Sequence, residues 1–70
     1  TSTLVSDSTQ QLQTDLAALS GVSASQAKSI SEAASAQLSS DGLSNSSDAS
    51  EVLPSLLSGA IKAIVANLTG

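Results

Sequence analysis

Apolar positions recur in three runs with the three-four spacing of a helical face, and short polar segments separate the runs. Over 3–19, Val5, Thr9, Leu12, Leu16 and Leu19 align on one face with Leu4 and Ala18 beside them, while Asp7, Gln10, Gln11, Gln13 and Asp15 take the other. Gly21 supplies the left-handed position that commonly ends a helix, and the connection to the next run is short, so the first two helices should lie antiparallel.

The second run, 23–39, opens on Ser23 and Gln26, which have capping-box spacing, with Val22 and Ala27 at the positions of a hydrophobic staple. Ala27, Ile30, Ala34 and Leu38 form its narrow stripe, bordered by Ala33, and the rest is mostly Ser with Lys28 and Glu32. Such a thin helix suits close backbone approach. The segment 39–47 is rich in Ser, Asp, Gly and Asn, residues that bond their own backbone and favour turns, and Leu43 is expected to tuck inward as a plug.

The third run, 50–68, is the most apolar: Leu53, Leu56, Leu57, Ala60, Ile61, Ile64 and Leu68 fill one broad face, which Val65 widens. Asp48 and Glu51 have capping-box spacing, but Pro54 follows closely and an interior proline removes a hydrogen bond near Ser50. Either a turn from Asp48 kinks at Pro54, or Ser50 is the cap and Pro54 falls within the tolerant first turn. Gly59 weakens this helix by ~1 kcal/mol relative to Ala but lets another helix come close. The pattern predicts an all-α fold, one small three-helix bundle over 1–70 that self-association can complete. The candidate interface is Leu53, Leu56, Leu57, Ile61, Ile64 and Leu68 on the last helix.

Composition narrows what such a bundle can be. Seventy residues form a single small core, and 40% apolar content without one aromatic ring means that core must be built from small, close-packed side chains. Seventeen Ser and eleven Ala accompany ten Leu, four Val and three Ile. No Cys is present, which removes disulfide staples and thiolate metal sites together.

Six carboxylates against Lys28 and Lys62, with neither Arg nor His, give a net charge of -4. Phosphate neutralisation and base stacking both lack residues, so no nucleic-acid partner is expected, and an anionic membrane surface is disfavoured for the same reason. No apolar stretch is expected to reach the ~20 residues of a membrane span, and no basic-then-apolar leader opens the chain. The chain is expected to be mature or excised from something larger.

Chemistry-bearing patterns are sparse. Asp7, Asp15, Glu32, Asp41, Asp48 and Glu51 sit at caps and solvent faces, without the tuned setting that acid–base catalysis requires. Ser25-Gln26-Ala27-Lys28 matches the S-x-x-K string of serine acylases but lacks its companion motifs. Asp41, Asn45 and Asp48 do not follow the order of a calcium loop, and turn chemistry accounts for them. No catalytic, cofactor-binding or metal-binding residue is expected. Asn45-Ser46-Ser47 and Asn67-Leu68-Thr69 are formal glycosylation sequons, meaningful only in a secreted chain.

The segment from Gly21 to Ala27, continuing as Ser29-Ile30-Ser31-Glu32-Ala33-Ala34-Ser35-Ala36-Gln37-Leu38, resembles the helical repeat units of spider silk proteins. Gly42-Leu43-Ser44-Asn45-Ser46 followed by Leu53-Pro54-Ser55-Leu56-Leu57-Ser58-Gly59-Ala60 is similar to the loop and helix of aciniform and tubuliform repeats. Together the quoted residues make up 30 of the 70 positions. Family repeats are longer and include aromatics, and their poly-Ala and Gly-rich fibre motifs are missing here. The resemblance implies a secreted, extracellular, non-enzymatic structural module whose partners are further copies of itself or other parts of a parent chain. A small secreted helical protein that binds a lipid or coats a hydrophobic surface is the alternative.

Overall fold

A computed structural model describes residues 1–69 and builds them into three helices, α1 (Thr3–Ala17), α2 (Ala24–Ser40) and α3 (Ala49–Thr69). No strand occurs among the described residues. The chain is an all-α three-helix bundle, as the periodicity predicts. With 21 residues at about 1.5 Å each, α3 spans the long dimension of 32 Å.

Each helix start is fixed by a side chain that takes up orphan amides. Ser2 caps α1: its Oγ accepts from the Val5 N–H at 3.1 Å and donates to the Ser46 carbonyl at 2.6 Å. The Ser2 N–H also donates to the Ser44 carbonyl at 3.0 Å, so one residue fastens the first helix to the loop that precedes the last. At α2 the Ser23–Gln26 capping box forms in full, at 3.1 and 2.9 Å. At α3 Asp48 Oδ1 accepts from the Ser50 N–H at 3.0 Å, so Ser50 is inside the first turn and not the cap. Glu51 does not complete a box there, because the Ser46 Oγ accepts from the Asp48 N–H at 3.1 Å.

The helix ends also depart slightly from the apolar pattern. α1 stops at Ala17 rather than 19, where the Leu19 N–H turns back to the Leu16 carbonyl, and Gly21 follows at φ +86°. α2 continues one residue past the expected end at 39, to Ser40, which the turn-rich composition places in the loop. Gly42, at φ +75°, is the true terminator: its N–H bonds the Ser39 carbonyl and the Leu43 N–H bonds the Leu38 carbonyl, both at 3.0 Å. Leu43 is thereby turned onto the core, as its isolation among polar residues suggests. α3 runs without interruption through Pro54. The amide that Pro54 lacks would have bonded the Ser50 carbonyl, and both residues are exposed, so water can satisfy it.

The core comprises Val5 and Leu16 from α1, Ala27, Ile30, Ala34 and Leu38 from α2, and Val52, Leu56 and Ala60 from α3. α2 is the central helix: it packs most closely on α3, less on α1, and α1 and α3 barely meet. The close approach is set by Gly59, where an added Cβ would lie 2.7 Å from Ala34 Cα and 2.7 Å from Gln37 Cβ.

Candidate functional site

Close packing of α2 on α3 decides which side of α3 is left over. Val52, Ser55, Leu56, Gly59 and Ala60 are buried against α2 and α1. Advancing 100° per residue, Leu53, Leu57, Ile61, Ile64 and Leu68 then share a second face, with Val65 at its edge. Their exposure runs from 37% at Ile64 to 81% at Leu68. The broad face expected from the sequence is therefore split in two. Leu56 and Ala60 point into the bundle, and the other five members of the candidate interface point out.

The split follows from the close approach of the two helices. Gly59 sits against the backbone of Ala33 and Ala34, so the arc that contains it, with Val52, Ser55, Leu56 and Ala60, goes inward and the arc of Leu53, Leu57, Ile61, Ile64 and Leu68 remains outside. Val52 and Ser55 were missed as core residues. Their places, four and one residues before Leu56, are the signal that could have marked them once Gly59 was taken as the contact point.

Because α1 and α3 barely meet, the seam between them is open. One groove of about 360 Å³ is lined by Ser8, Gln11, Leu12, Asp15, Leu53, Leu56 and Leu57. A second, of about 240 Å³, includes Leu16, Leu19, Val22, Ile30, Ile64 and Leu68. Leu19, expected on the buried face of α1, is 56% exposed at the rim of this second groove, since α1 has ended before it. Both grooves open onto the exposed stripe.

The polar groups serve structure. Asp41 accepts from the Ser55 hydroxyl at 2.6 Å and from Gln37 Nε2 at 3.2 Å, and Lys62 Nζ donates to Gln37 Oε1 at 3.2 Å. The Ser55 hydroxyl foremost, then Gln37, hold the Asp41 carboxyl below its ordinary pKa, and the Lys62 charge adds to this. Ser31, buried on α2, donates to the Lys28 carbonyl at 2.9 Å. Ser25 and Lys28 are both exposed, with no bond between their side chains among the described residues. The Asp41 side chain is engaged with Ser55 on α3 and Asp48 in the cap of that helix, and Asn45 and Asn67 are exposed. Among the described residues every buried side-chain nitrogen and oxygen has a hydrogen-bond partner, and no cluster of three metal-ligating side chains occurs.

By length and composition alone α3 is long and apolar enough to cross a membrane, with a mean hydropathy of 1.5 over its most apolar window. Counting uninterrupted apolar residues does not find this, because Ser58, Gly59 and Lys62 break the run. In the bundle the same helix supplies a third of the core. The chain matches no protein-family model, no curated protein and no solved structure.

Proposed function

We propose that the chain is a non-enzymatic structural and assembly module, a Ser/Ala-rich helical bundle of a secreted, silk-like protein that self-associates. The observation that carries this reading is the uncovered stripe on α3, Leu53, Leu57, Ile61, Ile64 and Leu68. A contiguous apolar patch of several hundred Å² marks an interaction site on a small soluble domain. The Ser-rich faces of α2 keep the rest of the surface polar. The silk-like part rests on the resemblance in 21–27, 29–38, 42–46 and 53–60, which implies that fibre formation requires the helices to open.

Sedimentation equilibrium over a wide concentration range, with far-ultraviolet circular dichroism on the same samples, tests the reading. A helical species whose mass rises with concentration is expected. A helical monomer throughout would refute self-association.

The open α1–α3 seam favours a second reading, in which the stripe and its two grooves take a lipid chain or lie on a hydrophobic surface. Displacement of a fluorescent fatty acid at stoichiometric protein is the outcome that would select it.

A further inference from the structure

The exposed stripe of α3 is matched when its direction is reversed. Leu53 and Leu68 are equally far from its midpoint, so are Leu57 and Ile64, and Ile61 stands at the centre beside Ala60. A two-fold contact requires this property, since residue i must meet j while j meets i.

Charge selects the same arrangement. Asp41, Asp48 and Glu51 lie at the end of the bundle where α3 begins, and Asp7 joins them because Ser2 ties the start of α1 to Ser44 and Ser46. The opposite end, made by 18–23 and the last turns of α3, has Asp15 in the last turn of α1 offset by Lys28 in the first turns of α2. Parallel pairing of two copies would bring the acidic ends together. Antiparallel pairing sets each acidic end against the partner's end where Asp15 and Lys28 offset each other, and opposes the two α3 dipoles.

Shape and area complete the case. Leu68 is the most protruding side chain, at 81% exposed, and the groove beside Leu53 and Leu57 lies equally far from the midpoint on the other side. Each stripe residue offers roughly 50–100 Å² of apolar surface, so the five on each of two copies bury about 500–1,000 Å² together, reaching the threshold of a specific interface at the upper end.

We infer that a second copy of this chain covers the stripe as an antiparallel two-fold pair of α3 helices. Leu53 meets the partner's Leu68, Leu57 meets the partner's Ile64, and Ile61 lies at the axis. This rests on the self-association proposed above and adds its geometry.

The chain has no Cys, so single cysteines report proximity cleanly. Leu53→Cys and Leu68→Cys, mixed and oxidised, should give the mixed disulfide at least tenfold over either like pair. Ile61→Cys should cross-link to itself, since a disulfide needs Cα atoms within about 7 Å. Circular dichroism checks that each variant is folded. Leu57→Cys with Ile64→Cys replaces any member that is not. Like-pair products in excess overturn the antiparallel geometry. A dimer in sedimentation that cross-links at none of these sites overturns the geometry and leaves self-association standing. A monomer at every concentration overturns both, and co-flotation with phosphatidylcholine vesicles that abolishes cross-linking assigns the stripe to lipid instead.

Discussion

Replacing Gly59 by Ala should destabilise the bundle, although the same change in an open helix stabilises. In a helix interior Ala is favoured over Gly by about 1 kcal/mol. Here the new methyl would sit 2.7 Å from Ala34 Cα, 2.7 Å from Gln37 Cβ and 3.0 Å from the Ala33 carbonyl oxygen. Carbon pairs prefer roughly 3.5–4.0 Å, and two of these neighbours are backbone atoms that no rotamer change can move. α2 and α3 must separate, which loosens Ala27, Ala34 and Ala60 along the tightest interface of the molecule. Overpacking of this kind costs about 1–3 kcal/mol; with irreplaceable backbone overlap the upper part of that range applies, leaving a net loss of about 1–2 kcal/mol. For a domain of this size that lowers Tm by roughly 5–15 °C. The assay is thermal unfolding by far-ultraviolet circular dichroism at low concentration, with Ser58→Ala as the exposed control, which should gain a few tenths of a kcal/mol. A Gly59→Ala protein that melts at or above the parent temperature would refute the close approach of α2 and α3.

Three further outcomes are expected. Leu57→Gln with Ile61→Gln should leave Tm within a few degrees and weaken self-association at least a hundredfold, read by sedimentation, whereas Leu56→Ala should cost about 2–4 kcal/mol in urea unfolding because Leu56 faces the core. Asp41 has a folded pKa below its unfolded value, so its contribution is present above the unfolded pKa and is lost as pH falls through the lower folded one. Carboxyl NMR should show the Asp41 titration moving upward in Ser55→Ala, where the 2.6 Å bond is gone. Ser2→Ala should cost about 1 kcal/mol more than Ser23→Ala, since cap loss is worth about 1 kcal/mol in either but only Ser2 also holds the 41–48 loop through Ser46; urea unfolding checks the difference, and equal losses would refute the tie.

What was legible in the residues is what depends on local chemistry. The capping box at Ser23, the left-handed turn at Gly21, the α2 stripe and the inward Leu43 all depend on side chains within a few positions of one another. The α3 face was not legible in the same way, because α3 is apolar around more than half its circumference and periodicity alone centres on the largest residues. Which arc goes inward depends on the partner helix, and at Gly59 that helix presents the backbone of Ala33 and Ala34 and the Gln37 Cβ. The Ser2 tie to Ser44 and Ser46 joins residues more than forty apart and has no sequence pattern to announce it.

That division of α3 bears on how the module works. A core whose tightest approach is Gly59 on Ala33 and Ala34 buries little area per residue there, and a domain this small has only a few kcal/mol to spare. The exposed aliphatic groups of α3, Leu53, Leu57, Ile61, Ile64 and Leu68, add their full burial only when something covers them. If a second copy does so, folding and association become linked: at a hundred times the dissociation constant the partner adds about 2.7 kcal/mol, comparable with the fold's own margin. Tm should then climb with protein concentration in the parent and stay flat in Leu57→Gln with Ile61→Gln, a difference that an interface without energetic weight would not produce.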